Sequence, residues 1–177
     1  MSDRLTEFRI ENKKLKKQIE DLELKILSLV GNIELNTSGG PNSKGLINNE
    51  ILELMNTTEE ELNILSPKID RFYTNEIRNL ANKGIKILII TNERSTIPKN
   101  YRVFYDELKN FKGVDIINNP RVKFLLVFND QNAIYSGGNL DKNELDNSIL
   151  IETKISDSSK LNKIKEIFNL LLPSFMR

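Results

Sequence analysis

Residues 3–30 place a side chain of one kind at every third or fourth position: Leu5, Phe8, Leu15, Ile19, Leu22, Ile26 and Leu29, with Asn12 in the remaining slot. With Leu5 at heptad position a, the a series reads Leu, Asn, Ile, Ile and the d series Phe, Leu, Leu, Leu. Ile at a with Leu at d favours a parallel pair of helices, and a lone Asn at a selects dimers and sets register. The remaining surface is largely polar, and no Gly or Pro occurs before Gly31. A helix with so narrow an apolar stripe gains little by folding alone. The spacing therefore predicts a homodimer through an N-terminal coiled coil. The other reading is a helix packed on its own domain, since Leu24, Leu27 and Val30 widen the stripe near its end. The Lys13, Lys14, Lys16, Lys17 run reads as a solvated face, because Glu20, Asp21 and Glu23 follow at once.

After Gly31 the periodicity changes. A polar loop over residues 36–45 precedes a helical stripe (Leu46, Ile47, Ile51, Leu54, Met55) and a short strand, Leu62 to Leu65, ending at Ser66-Pro67. Ile77, Leu80 and Ala81 mark a helix closed by Gly84, and Ile85 to Ile90 is an apolar run suited to a strand covered on both faces. A helix over Tyr101 to Phe111 and a strand over Val114 to Ile117 follow. Val122 to Phe128 and Ala133 to Tyr135 then flank Asn129-Asp130-Gln131-Asn132 as a hairpin. A strand at Ser148 to Thr153 and an amphipathic helix from Leu161 to Leu172 end the chain. The alternation predicts an α/β fold with a mixed sheet flanked by helices. The expected domains are a coiled-coil helix at 1–31 and an α/β body at 32–177.

Composition narrows the chemistry. Neither Cys nor His occurs among the 177 residues, so histidine bases, thiolate nucleophiles and zinc sites built from those ligands are excluded. The charges nearly balance, with 26 basic and 25 acidic residues, and give no overall field toward nucleic acid or acidic lipid. No P-loop or dinucleotide fingerprint occurs, and no cofactor or metal is expected. No apolar run is long enough to span a bilayer, so no membrane partner is expected and the expected location is cytoplasmic.

The informative stretch is Arg121-Val122-Lys123-Phe124-Leu125-Leu126-Val127-Phe128, followed by Tyr135-Ser136-Gly137-Gly138-Asn139-Leu140. It resembles the core of the phospholipase D-like fold, whose signature is H-x-K-x4-D, a hairpin and a G-S-x-N turn. By that resemblance Arg121 stands at the nucleophilic His position, Lys123 at the lysine, Phe128 at the aspartate and Asn139 at the asparagine. An arginine is charged at any working pH and cannot attack phosphorus. The chain is accordingly expected to be no enzyme, and to hold a small sugar or anion with Arg121, Lys123, Ser136 and Asn139. Ser66, Asp70, Asn92 and Arg94, at other strand ends, would line the same edge. Such a body behind a dimeric coil resembles the effector half of TrmB-type archaeal transcription regulators. DNA would then be reached only through a domain absent from this chain. A phospholipase D-like nuclease or phosphodiesterase, and a coiled-coil scaffold that binds no ligand, are the competing readings.

Overall fold

The computed structural model describes residues 11–20, 22, 33–38 and 43–173. Residues 11–20 are helical and exposed throughout. Leu15, Ile19 and Leu22 are 50%, 54% and 57% exposed, so the described part of the stripe is not covered by the chain's own body. Leu5, Phe8, Ile26 and Leu29 lie outside the described residues.

The body is one seven-stranded sheet in the order β1-β7-β6-β5-β2-β3-β4. Its strands are β1 (Ile33–Thr37), β2 (Glu61–Leu65), β3 (Lys86–Thr91), β4 (Val114–Asn118), β5 (Leu125–Phe128), β6 (Ala133–Ser136) and β7 (Ile151–Ile155). The helices are α1 (Leu46–Asn56), α2 (Arg71–Asn82), α3 (Arg102–Lys109), α4 (Lys142–Asn147) and α5 (Ser158–Leu170). β2, β3 and β4 run parallel, joined through α2 and α3. β5, β6, β7 and β1 continue the sheet antiparallel.

Period-two alternation divides the apolar residues between the two faces. Leu62, Ile64, Ile87, Ile89, Leu125, Val127 and Ile134 face a core filled by Ile47, Ile51 and Met55 of α1, Ile77 and Leu80 of α2, Leu108 of α3 and Leu145 of α4. Leu65, Ile90, Leu126, Phe128 and Ala133 face the other way, under Leu161 and Phe168 of α5. Burial on both faces is why Ile85 to Ile90 shows so little alternation in sequence.

Three expectations are corrected. Residues 33–37 form an edge strand where a loop was expected from residue 36, because pairing with β7 supplies the ladder that local composition does not announce. The strand expected at Ser148 to Thr153 runs instead over Ile151–Ile155. The helix expected from Tyr101 begins at Arg102, after a 3-10 turn at Lys99–Tyr101. Among the described residues no helix is long and apolar enough to cross a membrane.

Candidate functional site at the carboxyl edge of the sheet

The parallel strands β2, β3 and β4 end at one edge of the sheet, where β5 begins and β6 ends. In α/β sheets, loops at such an edge can converge on a ligand without disturbing the core. Here the loop after β2 (residues 66–70) and the loop after β6 (residues 137–141) are laced together. The Ser66 hydroxyl accepts the Leu140 N–H at 2.8 Å and donates to the Lys68 carbonyl at 2.7 Å. Ile69 and Leu140 form a parallel bridge, and the Asp70 N–H donates to the Leu140 carbonyl at 3.0 Å. Asp70 caps α2 by accepting the Tyr73 N–H at 2.9 Å, and its other oxygen accepts the Lys142 N–H at 2.9 Å.

This lacing brings a polar cluster to the surface. Asn139 Nδ2 donates to both oxygens of Glu144, at 2.7 and 2.9 Å. Lys68 Nζ lies 3.2 Å from the same carboxylate and 4.6 Å from the centre of the Tyr101 ring. The Tyr101 hydroxyl donates to Asp141, which caps α4 by accepting the Glu144 N–H at 2.9 Å. Burial pulls the Lys68 ammonium down, but the bond and charge of Glu144, joined by Tyr101, outweigh it and raise its pKa. Burial holds the Asp70 carboxyl above the ordinary carboxylate range, although the Tyr73 and Lys142 N–H groups pull the other way.

The residues singled out from sequence are placed in different ways. Asn139 is in the cluster. Ser66 and Ser136 are both fully buried and act as seams: Ser136 donates to the Ile151 carbonyl at 3.0 Å, tying β6 to β7. Both hydroxyls expected at a ligand are thus engaged with the backbone of neighbouring segments.

Arg121 and Lys123 lie at the same edge, in the irregular segment before β5, and both are exposed. The Arg121 N–H donates to Asn119 Oδ1 at 3.1 Å, and neither side chain bonds to Asn139 or Glu144 among the described residues. Asn92 follows β3, with its Oδ1 buried and unpartnered among the described residues. Arg94 instead grips Asp106 with two bonds of 2.6 and 2.7 Å, which hold the Asp106 carboxyl below its usual range.

Sequence reasoning missed Lys68, Tyr101, Asp141 and Glu144. Asp141-x-x-Glu144 has the spacing of a helix-start capping box and could have drawn attention to that loop. Nothing local ties Lys68 or Tyr101 to it, because both arrive through tertiary contact. Among the described residues, no group of acidic side chains is arranged to hold a metal ion.

No family model matches the sequence, and no curated protein matches it. Solved structures do. NucT from Helicobacter pylori is 16% identical, with 78% of this chain covered, 95% of that chain and a TM-score of 0.65. Nuc from Salmonella typhimurium, a phospholipase D family member, is 10% identical over 77% of this chain and 91% of that one, with a TM-score of 0.63. TrmBL2, an archaeal chromatin protein, is 14% identical over 94% of this chain and 64% of that one, with a TM-score of 0.54.

The chain also matches 38% of a phosphatidylserine synthase from Haemophilus influenzae (14% identical over 77% of this chain, TM-score 0.54) and 26% of a polyphosphate kinase from Porphyromonas gingivalis (11% identical over 78% of this chain, TM-score 0.61). These neighbours correct the expectation that the chain is no enzyme: the architecture is one on which enzymes are built. The missing histidine removes one nucleophile, not phosphorus chemistry as a class. Taken with the sheet order and the two-faced core, the likenesses show that this chain has the phospholipase D-like fold.

Proposed function

We propose that the chain handles a phosphate ester at the carboxyl edge of its sheet, in a dimer assembled through the N-terminal helix in the cytoplasm. The observation that carries the binding is the convergence of Lys68 and Asn139, from two different loops, on one anionic group. Arg121 and Lys123 add positive charge at the same edge and would draw a phosphate toward it. The finer reading as an effector domain of a transcription regulator is supported by the TrmBL2 likeness. Its 94% share of this chain reaches into the N-terminal helical segment.

Cleavage of a phosphodiester is the second reading, favoured by the likenesses to Nuc and the phosphatidylserine synthase. With no histidine in the chain, the route this edge offers is attack by water, with Asp70 taking its proton. The new P–O bond would form as the ester P–O bond breaks, and the leaving alkoxide would take up a proton.

One experiment tests binding and cleavage together. Purified protein is titrated with dimethyl phosphate by calorimetry and incubated with bis(p-nitrophenyl) phosphate. Binding lost in Lys68→Ala is the expected outcome, and release of nitrophenol that is also lost in that variant would establish cleavage. A folded protein that neither binds nor hydrolyses would refute the proposal.

Pairing is tested separately. Light scattering is expected to give a dimer, and Ile19→Asp to give a monomer whose body keeps the melting temperature of the parent. A monomeric parent at micromolar concentration would overturn the pairing.

A further inference from the structure

Resting on that reading of the edge, we infer that the Glu144 carboxylate occupies the seat of the ligand's phosphate, as an internal anion that an incoming phosphate ester must displace. Glu144 is placed where a capping-box glutamate would turn back to the N–H of the cap residue. It does not. The Asp141 N–H is satisfied by the Asn139 carbonyl at 2.8 Å, while the Glu144 carboxylate reaches outward and takes both bonds from Asn139 Nδ2. Helix α4 is capped by Asp141 without it. The side chain is therefore not needed to start its own helix.

The fit around it is that of a seat for an anion. Asn139 presents a donor to both oxygens and Lys68 adds a positive charge. Gly138 has a φ of +79°, and a Cβ there would come within 3.2 Å of Glu144 Oε1. Glycine leaves room for the carboxylate where another residue would crowd it. Solvent also reaches the contact: the Glu144 and Lys68 side chains are 29% and 22% exposed, so the pair can part without opening the core. If Glu144 swings away, Lys68 remains over the Tyr101 ring, itself anchored on Asp141. The grip would then be organised before the ligand arrives. A phosphate oxygen pair can accept the two kinds of donor that the carboxylate now accepts.

The test compares the parent, Glu144→Gln and Glu144→Ala, each full length, by calorimetric titration with inorganic phosphate and with dimethyl phosphate. Removing the competing charge is expected to tighten binding of both by about tenfold. The gain should disappear when Lys68→Ala is added. If the parent binds and both variants bind equally or more weakly, Glu144 is part of the grip rather than its occupant, and the inference falls while the edge remains a phosphate site. If circular dichroism shows folded proteins and none of the three binds either probe, both the inference and the reading beneath it fail. Two replacements guard against one misfolding, and tighter binding in either supports the displacement.

Discussion

Phe128→Asp, which would restore the aspartate of the phospholipase D pattern, is expected to give no folded protein at neutral pH. Phe128 is buried on the face that α5 covers, and its ring meets Phe168 edge-on with centroids 5.1 Å apart. Removing such a ring costs about 3–5 kcal/mol. Leaving a carboxylate in its place without a partner costs several more. Together these approach or exceed the roughly 5–15 kcal/mol that holds a domain of this kind folded.

Phe128→Leu, which keeps an apolar side chain, should cost only about 1–2 kcal/mol and fold normally. Urea unfolding followed by circular dichroism separates the two. A Phe128→Asp protein with the parent's midpoint would show that α5 does not close this face. The polar side chain of the hairpin is instead one position later. Asn129 Oδ1 accepts the N–H groups of Gln131 and Asn132 at 2.9 and 2.8 Å, while its Nδ2 reaches Thr58 at 3.1 Å and the Leu54 carbonyl at 3.3 Å. The departure from the pattern is thus built into the packing, and changing this one residue back does not repair it.

Phe128 also marks how far the sequence could be read. Strands covered on both faces, such as Ile85 to Ile90, and the hairpin around Asn129 declare themselves through local apolar runs and turn residues. The sheet's parallel half followed from their alternation with helices. Strand β1 did not, because Ile33–Thr37 is a mostly exposed edge whose partner among the described residues, β7, lies more than a hundred residues away. The site followed the same divide. Asn139 stands out in sequence because its motif neighbours are contiguous, whereas Lys68 and Glu144 meet across two loops that Ser66 locks together at the sheet edge. Ser66 and Ser136 show what the sequence leaves open, since both are fully buried. A hydroxyl in a motif-like position has the same letter whether it faces a ligand or seals two strands, and only burial distinguishes the roles.

Glu152→Gln is expected to stabilise the protein at pH 8 and to leave its stability at pH 4 nearly unchanged. Glu152 lies on β7 between Asn36 and Ser136, on the face covered by α1, and both its carboxylate oxygens are buried without a hydrogen-bond partner among the described residues. Burial is the main reason its pKa rises to about 7. The charges of Glu50 on α1 and Glu34 on β1 push the same way, and Lys154 opposes them. Lys154 is itself held by Glu50 at 2.5 Å, which blunts the relief it can give.

The sign follows from which state holds the proton. Between the ordinary value of 4.5 and about 7, the unfolded chain has released this proton while the folded chain keeps it, so stability falls as pH rises through that window and levels off above it. The loss attributable to this group is at most about 3 kcal/mol. A neutral amide of the same shape removes it, raising the melting temperature at pH 8 by about 6–12 °C. Calorimetric melts of both proteins at pH 4, 6 and 8 read this directly. A Glu152→Gln protein that melts no higher than the parent at pH 8 would mean that the buried carboxylate finds a partner in solution, and that the edge formed by β1 and β7 is not under electrostatic strain.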